Sequence, residues 1–324
     1  MHLATGRGGA GLDPGIMDQR ADLRGRTCVV TGGTRGIGKS TALGLARSGV
    51  DLVLVCRDGE NGRQAREELI RASGNESIEV RVADLSSQAE VRALGAELAA
   101  RPGRLGVLLH NAAVARPDRR VTVDGLEMQL AVNHLAPFLL TALLRERLVA
   151  DAPSRVVVVS SRAHANGRID FADLQGEHAY TGPRAYDQSK LANVLFTYEL
   201  ARRLRGTGVT ANCLHPGVVP TRLNGFFRPR DGAPAAPPPT VLQRAVNAAR
   251  RGWRRLRGRN ELNTPEEASR TSIRLASAPD LAEVSGRYFE HGREARSAPC
   301  TYDEELAARL WAVSERLTGL ATDG

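Results

Sequence analysis

The sequence predicts an α/β fold, with a single doubly wound parallel sheet of about seven strands and helices on both faces. Short β-branched runs alternate with longer Ala- and Leu-rich stretches, which is the pattern of repeated strand–helix units. A glycine-rich turn separates the first such run from the first helical stretch. The run at 155–160, RVVVVS, is almost wholly apolar, as in a central strand that is buried on both faces.

Length and composition bound the domain organisation. The chain has 324 residues and 42% hydrophobic content, so we expect one domain over 25–320 after a disordered tail over 1–24. The tail lacks the apolar centre of a signal peptide, and Met17 is an alternative start. No apolar run approaches the roughly 20 residues of a membrane span.

The cysteines and the charge indicate the compartment and exclude one class of partner. The chain has four cysteines, of which Cys28, Cys56 and Cys213 lie in apolar runs and Cys300 does not. No pair has metal-ligand spacing, which predicts a reduced, cytoplasmic protein. The net charge is +9, but residues 222–260 alone hold ten arginines and one acid. Because the charge belongs to one segment and not to a face of the fold, we predict no nucleic-acid partner.

The first strand–helix unit predicts a dinucleotide site. A strand at Thr27–Thr31 breaks into the turn Gly32–Gly38, and a helix follows to about Ser48. Glycines allow the backbone to approach a pyrophosphate closely, and the helix N-terminus offers free N–H groups to the anion. A tight turn without a ligand is the alternative, but the placement between strand and helix favours a Rossmann-type nucleotide-binding fold.

The spacing of this turn differs from the common G-x-G-x-x-G. It reads T-G-x-x-x-G-I-G, and it resembles the turn of short-chain dehydrogenases/reductases. The resemblance covers about residues 25–222 and 263–318, and the stretches RIDFADLQGE, AYDQSKLANVLF and GRYF are similar to the retinol dehydrogenase-like branch. It implies that the turn binds the cofactor through Gly32, Thr34, Arg35, Gly36, Ile37 and Gly38.

The end of the second strand indicates which cofactor is bound. The strand at Asp51–Cys56 is followed by Arg57, and Arg35 lies in the turn. Arginine suits the 2′-phosphate of NADP(H), whereas an acid at the strand end suits the ribose of NAD(H). NADP(H) is therefore favoured. Asp58 keeps NAD(H) open, and Arg57 as an ordinary solvated arginine is the alternative interpretation.

The third and fourth strands end in further candidate cofactor residues. A helix at Gly59–Ser73 leads to a strand at Ile78–Val82 and then to Asp84 and Leu85, which by resemblance line the adenine pocket. Asp84 is equally well an N-cap for a helix over 86–100. A strand at Val107–Leu109 ends in HNAA, where the family usually has N-N-A-G; Asn111 and Ala112 are implied at the cofactor, and His110 reads as a structural residue.

A long helix is predicted from about Val123 to Ala150, and Pro137 is a candidate kink. Asn133 lies in its apolar centre, so its amide needs a partner. The resemblance implies that Asn133 bends the helix and relays protons through a water to an active-site lysine. A satisfied core amide is the alternative, and it is compatible with that role.

The fifth strand and the helix after it carry the candidate catalytic residues. The strand at 155–160 ends in Ser160 and Ser161, where hydroxyls face the ligand crevice; spacing leaves both open, and the resemblance implies Ser161. After a polar connection over 162–182, a helix over 183–205 places Tyr186 and Lys190 on one face. Lys190 is one of only two lysines in the chain, which suggests a compact cation beside the phenol.

This constellation predicts proton transfer at a carbon–oxygen bond. Tyr186 would give its proton to the developing alkoxide, and Ser161 would hold the oxygen. An unperturbed phenol titrates near ~10. We therefore expect the charge of Lys190 and of the oxidised cofactor to lower the pKa of Tyr186, while Lys190 also holds the ribose.

The C-terminal part supplies the nicotinamide wall and a substrate lid. A strand at Val209–Leu214 precedes HPGVVPT, which by resemblance walls the nicotinamide through Pro216, Gly217, Val219 and Thr221. Residues 222–262 read as a basic lid insertion with an amphipathic helix over about 240–258, which would cover the substrate or contact an anionic membrane or lipid-like molecule. A helix starting at Thr264-Pro265, a strand at Arg287–Glu290 and a helix at Asp303–Leu317 complete the domain.

The sequence thus predicts an NADP(H)-dependent oxidoreductase that interconverts an alcohol and its ketone or aldehyde, acting on a small hydrophobic substrate. No metal is expected, and a homodimer is an option. Two alternatives stay open: a non-catalytic NAD(P)-binding regulatory protein, and an NAD-dependent sugar-nucleotide epimerase or dehydratase.

Overall fold

The computed structural model describes residues 23–219 and 263–320. The predictions for most of the tail, for Thr221 and for the basic lid with its helix over 240–258 lie outside these residues. No helix in the described part of the chain is long and apolar enough to cross a membrane.

The described chain forms one eight-stranded sheet with the order β3-β2-β1-β4-β5-β6-β7-β8, parallel except for the last pair. The strands are β1 Arg26–Thr31, β2 Asp51–Cys56, β3 Ile78–Val82, β4 Arg104–His110, β5 Ser154–Val159, β6 Val209–His215, β7 Tyr288–Glu290 and β8 Arg293–Ala295. The order reverses between β1 and β4, so the ligand crevice lies above the carboxyl ends of these strands. The predicted fold class is confirmed. The short antiparallel β8 was not predicted, because three residues are too few to show a pattern.

Helices cover both faces of the sheet, and each layer encloses an apolar core. The helices are α1 Gly36–Ala46, α2 Gly59–Ser73, α3 Gln88–Ala100, α4 Met128–Leu130, α5 Ala136–Leu143, α6 Arg145–Ala150, α7 Gly182–Arg203, α8 Pro265–Ser277 and α9 Glu304–Thr318. Helices α1, α2 and α8 bury side chains against one face, and α3, α5 and α7 against the other. Because both faces of the sheet are covered, the central strands are mostly apolar.

The predicted single helix from Val123 to Ala150 is wrong. Gly125 has a φ of +77°, and the Thr122 hydroxyl accepts from the Leu126 amide, so this stretch is a turn. Helical structure begins at α4, passes through a π-helical turn at Ala131–Leu135 and breaks again at Leu144. The irregular turn therefore contains Asn133 and lies on the N-terminal side of Pro137.

The helix α8 starts as predicted. The Thr264 hydroxyl accepts from the Glu267 amide at 3.2 Å, and the Glu267 carboxylate accepts from the Thr264 amide at 2.9 Å, which closes a capping box with Pro265 in the first turn. Helix α8 packs against α1, while α9 lies over α5 and α7, where the Trp311 ring is 4.8 Å from that of Phe138. The residues after 263 thus complete both layers.

Candidate active site

The glycine turn between β1 and α1 is built for close approach of a ligand. Gly32 and Gly36 have φ values of +67° and +49°, which favour glycine. A Cβ on Gly38 would collide with the Gly32 carbonyl oxygen and with the amide of Asn111. The Asn111 Nδ2 donates to the Thr31 and Gly32 carbonyls at 3.0 and 3.2 Å. Asn111, at the end of β4, therefore stabilises the turn. Its predicted contact with a cofactor stays a prediction.

The start of α1 can receive an anion. Arg35 occupies the N-cap position, yet no side chain caps the helix and its first turn contains no acidic residue. The first-turn N–H groups and the helix dipole are thus available to a phosphate. Together with the glycine cradle, these residues fit the pyrophosphate of a nicotinamide dinucleotide.

Two charged residues follow β2, and they differ in their contacts: Arg57 has no partner in the described chain, whereas Asp58 is hydrogen-bonded. Arg57 is exposed and has no hydrogen-bond or ion-pair partner among residues 23–219 and 263–320. The Asp58 carboxylate caps α2 by accepting from the amides of Glu60 and Asn61 at 3.0 and 3.1 Å, and these bonds lower its pKa. Arg35 donates to Asn61 Oδ1 at 2.5 Å, so its guanidinium lies beside the same helix start.

At the end of β3, the interpretation of Asp84 as a helix N-cap is wrong. The Asp84 carboxylate accepts from the amide and hydroxyl of Ser86 at 2.9 and 2.8 Å, while Ser87 caps α3. Leu85 is partly buried against the core. The predicted adenine contacts of both residues stay predictions.

The catalytic candidates converge between β5 and α7. The Ser161 hydroxyl lies close enough to the Tyr186 phenol for hydrogen bonding to lower the Tyr186 pKa. Lys190 lies one turn further along α7, only 2% exposed, with its Nζ 5.6 Å from the centroid of the Tyr186 ring. Its Nζ donates to the Val159 carbonyl at 3.1 Å. The phenol, the hydroxyl and the ammonium therefore belong to one site.

The two serines at the end of β5 have different roles. The Ser160 hydroxyl is buried and donates to the Lys190 carbonyl at 2.8 Å, which fastens the strand to α7. Ser161 caps the 3₁₀ turn Arg162–Asn166, and its Oγ accepts from the Ala163 amide at 3.2 Å. Of the two serines, Ser161 is the one that influences the pKa of Tyr186, so the structure distinguishes two residues that spacing alone left open.

Burial dominates the protonation of the catalytic pair. It raises the pKa of Tyr186 to about 12, a shift that the Ser161 hydrogen bond opposes and the charge of Asp187 reinforces. It also lowers the pKa of Lys190 to about 8. In the chain by itself, burial therefore outweighs the lowering of the Tyr186 pKa that we expect from Lys190, because the phenolate would be desolvated. The further lowering expected from the oxidised cofactor stays a prediction.

Asn133 joins two sides of the site. Its Oδ1 accepts from the Val114 amide at 2.8 Å, and its Nδ2 donates to the Val114 carbonyl and to Ser189 Oγ at 2.9 and 3.0 Å. It ties the segment after β4 to α7 one residue before Lys190. A water relay between Asn133 and Lys190 stays a prediction.

His110 at the end of β4 has a structural environment. It is 3% exposed, and its Nε2 lies 2.8 Å from the Thr141 hydroxyl. Burial lowers its pKa to about 3, so the ring is neutral. This agrees with its interpretation as a strand-end residue.

The wall after β6 is described as far as Val219. Gly217 has a φ of +98°, and the Asn263 amide donates to the Val218 carbonyl at 2.8 Å, which joins the two edges of the undescribed segment. Val219 is buried and Val218 is exposed. The predicted nicotinamide contacts of Pro216, Gly217 and Val219 stay predictions.

Sequence reasoning missed several polar residues around Ser161. Arg162 forms a two-pronged ion pair with Glu290 of β7, and His164 contacts the Ser161 carbonyl. Asp187 is half-buried beside Tyr186, and burial raises its pKa to about 6. The partners are remote in sequence, so no local pattern connects them; the histidine three residues after Ser161 was the one available signal.

The comparisons with known proteins agree with this geometry. A family model described as short chain dehydrogenase matches residues 26–231. The chain belongs to the short-chain dehydrogenase family. Relatives named retinol dehydrogenases share about 40% of its sequence, which places it in the retinol dehydrogenase-like branch. Human retinol dehydrogenase 13 is 42% identical over 94% of this chain and 88% of its own length.

Solved structures show the same fold. An uncharacterized protein from Mycobacterium paratuberculosis has a TM-score of 0.72 at 30% identity, covering 94% of this chain and 97% of its own. The Pseudomonas aeruginosa RhlG/NADP active-site complex has a TM-score of 0.60 at 26% identity, with 83% and 95% coverage. The chain is therefore an oxidoreductase-family protein with a site for a nicotinamide dinucleotide.

Proposed function

We propose that this protein is an NADP(H)-dependent oxidoreductase that interconverts a hydrophobic alcohol and its aldehyde or ketone. The observation that carries the proposal is the convergence of Ser161 and Tyr186, with Lys190 buried beside the phenol ring. When bound, the nicotinamide supplies or accepts the hydride. The protein must then move one proton and hold one oxygen.

Tyr186 is suited to donate that proton during reduction. Burial raises its pKa to about 12, so the phenol is protonated at neutral pH and can give its proton to an alkoxide oxygen. The Ser161 hydroxyl lies beside the phenol, so a carbonyl oxygen that binds between them contacts both hydroxyls. Lys190 stabilises the phenolate that forms, and in the oxidative direction the same groups accept the proton.

The preference for NADP(H) rests on the end of β2. Arg57 is exposed and free of partners in the described chain, whereas the Asp58 carboxylate is engaged at the start of α2. A free guanidinium is a bidentate donor for a 2′-phosphate. An acid that already caps a helix is a poor ribose acceptor. The RhlG structure, which contains NADP, gives further support.

The substrate class rests on the relatives named retinol dehydrogenases and on the apolar stripe predicted for the lid. Both favour a hydrophobic alcohol or carbonyl compound. Within one fold family the substrate is set by the site and its lid, so retinol itself is one member of the class to test.

A panel of aliphatic, retinoid-like and steroid-like alcohols and carbonyls tests the proposal. Turnover is followed by NADPH and NADH absorbance in both directions. We expect NADPH-dependent reduction of at least one apolar carbonyl, with a lower kcat/KM for NADH. NADPH binding without turnover of any compound would instead favour a non-catalytic nucleotide-binding protein.

A further inference from the structure

His164 is a buried imidazole that the proposed reaction does not use. It lies in the 3₁₀ turn Arg162–Asn166, three residues after Ser161, and is 3% exposed. Both ring nitrogens have partners. Nδ1 is 2.6 Å from the Ser161 carbonyl oxygen, and Nε2 is 3.0 Å from the amide nitrogen of Ala298.

These two partners fix the tautomer of the ring. A backbone N–H can only donate, so Nε2 accepts from Ala298 and carries no proton. In the neutral imidazole the proton then lies on Nδ1, which donates to the Ser161 carbonyl. Burial lowers the pKa of His164, which agrees with a neutral ring. The imidazole thus links the end of β5 to a segment 134 positions later.

The segment that holds Ala298 is itself anchored. The amide and hydroxyl of Thr301 donate to the Ala298 carbonyl at 2.9 and 2.6 Å. The neighbouring Ser297 hydroxyl lies 2.8 Å from the hydroxyl of Tyr198, which is on α7. Because α7 also carries Tyr186, these hydrogen bonds connect Ser161 to the helix that carries Tyr186.

We propose that His164 is the positioning residue for Ser161. Its Nδ1–H donates to the Ser161 carbonyl and its Nε2 accepts from Ala298, so the position of Ser161 depends on that of the 297–302 segment and of α7. The inference rests on the proposed function for its kinetic consequence. Arg162, held by Glu290 at 2.7 Å, fastens the residue next to Ser161 from the neighbouring strand β7.

Three substitutions separate the two bonds of the imidazole. His164→Asn keeps a donor near the Nδ1 position, His164→Gln keeps an acceptor near the Nε2 position, and His164→Phe removes both. Misplacement of a reacting group by ~1 Å costs about 100-fold in rate. We expect kcat to fall by about that factor in His164→Phe and least in His164→Asn, with NADPH affinity unchanged in all three.

Ser154→Ala is the matched control. Ser154 lies at the opposite end of β5, and its buried hydroxyl donates to the Leu148 carbonyl at 2.8 Å. Its loss removes one buried hydrogen bond from the same strand, and we expect kcat to stay at the wild-type value. Wild-type kcat in His164→Phe would overturn the proposal. If that variant does not fold, a higher kcat in His164→Gln than in His164→Asn would overturn it.

Nitrogen-15 NMR of the histidine rings tests the two hydrogen bonds of the His164 imidazole without any need for turnover. The full-length chain at neutral pH should show His164, assigned by its loss in His164→Gln, as the Nδ1–H tautomer. An Nε2–H tautomer would overturn the proposal. If the wild type turns over no compound of the panel, the proposed function fails. This spectrum still decides whether His164 connects Ser161 to Ala298.

Discussion

The cofactor turn and the serine end of β5 are stabilised in different ways. In the turn, Gly32, Gly36 and Gly38 bring backbone against backbone, and the amide of Asn111 donates to the Gly32 carbonyl. Around Ser161 the stabilising contacts are polar side chains, His164 and Arg162, whose partners lie 134 and 128 positions away. The turn should therefore be sensitive to added atoms, and the serine end to lost hydrogen bonds.

The largest expected effect is on proton transfer. Tyr186→Phe removes the acid but keeps the ring, so we expect kcat to fall by about 1000-fold, with the NADPH dissociation constant little changed. The matched control is Tyr180→Phe, since the Tyr180 hydroxyl bonds to Glu127 and Gln129 before α7. Equal losses in the two variants would mean that Tyr186 is only structural.

The next largest effect is expected in the cofactor turn. Gly38→Ala places a methyl group against the Gly32 carbonyl and the Asn111 amide. We expect it to cost about 2–3 kcal/mol of binding, which is about 100-fold in NADPH affinity. Ser40→Ala, two residues further along α1, should bind NADPH as the wild type does. Undiminished affinity in Gly38→Ala, measured by fluorescence titration, would contradict the cradle.

A smaller change should move cofactor preference. Arg57→Asp removes a charge-assisted bond worth about 1.5–3 kcal/mol, so the ratio of kcat/KM for NADPH to that for NADH should fall at least about 10-fold. Arg63→Asp makes the same charge change at an exposed position on α2. If both variants alter the ratio equally, general surface charge and not Arg57 sets the preference.

The smallest effect concerns pH. The Asp187 carboxylate raises the pKa of Tyr186, so Asp187→Asn should lower it. In the proposed mechanism, reduction needs the protonated phenol and is lost as pH rises through the pKa of Tyr186. The alkaline limb of the kcat profile should therefore move to lower pH by a fraction of a pH unit. The exposed Glu177→Gln is the control, and an unmoved limb in Asp187→Asn would show that its charge does not reach the phenol.

The same contrast explains what the sequence could predict. The glycine turn, the helix at Gly59–Ser73 and the helix start at Thr264-Pro265 follow from local rules, and the structure has all three. The long helix over 123–150 was mispredicted because its apolar periodicity continues through the turn at Gly125.

At the site, the Tyr186–Lys190 spacing predicted a shared helical face, but it could not predict the protonation of the phenol. That depends on burial by remote elements, which raises the pKa of Tyr186 to about 12. The partners of Ser161 and His164 were likewise invisible, since Ala298 contributes a backbone N–H that has no sequence signature.

The most direct test of the central claim is a single-turnover experiment with the NADPH-loaded protein and a carbonyl from the panel. Because it excludes product release, it reports the chemical step alone. The account predicts rapid consumption of bound NADPH by the wild type, and bound but nearly unconsumed NADPH in Tyr186→Phe. Consumption at the wild-type rate by Tyr186→Phe would contradict the assignment of Tyr186 as the proton donor.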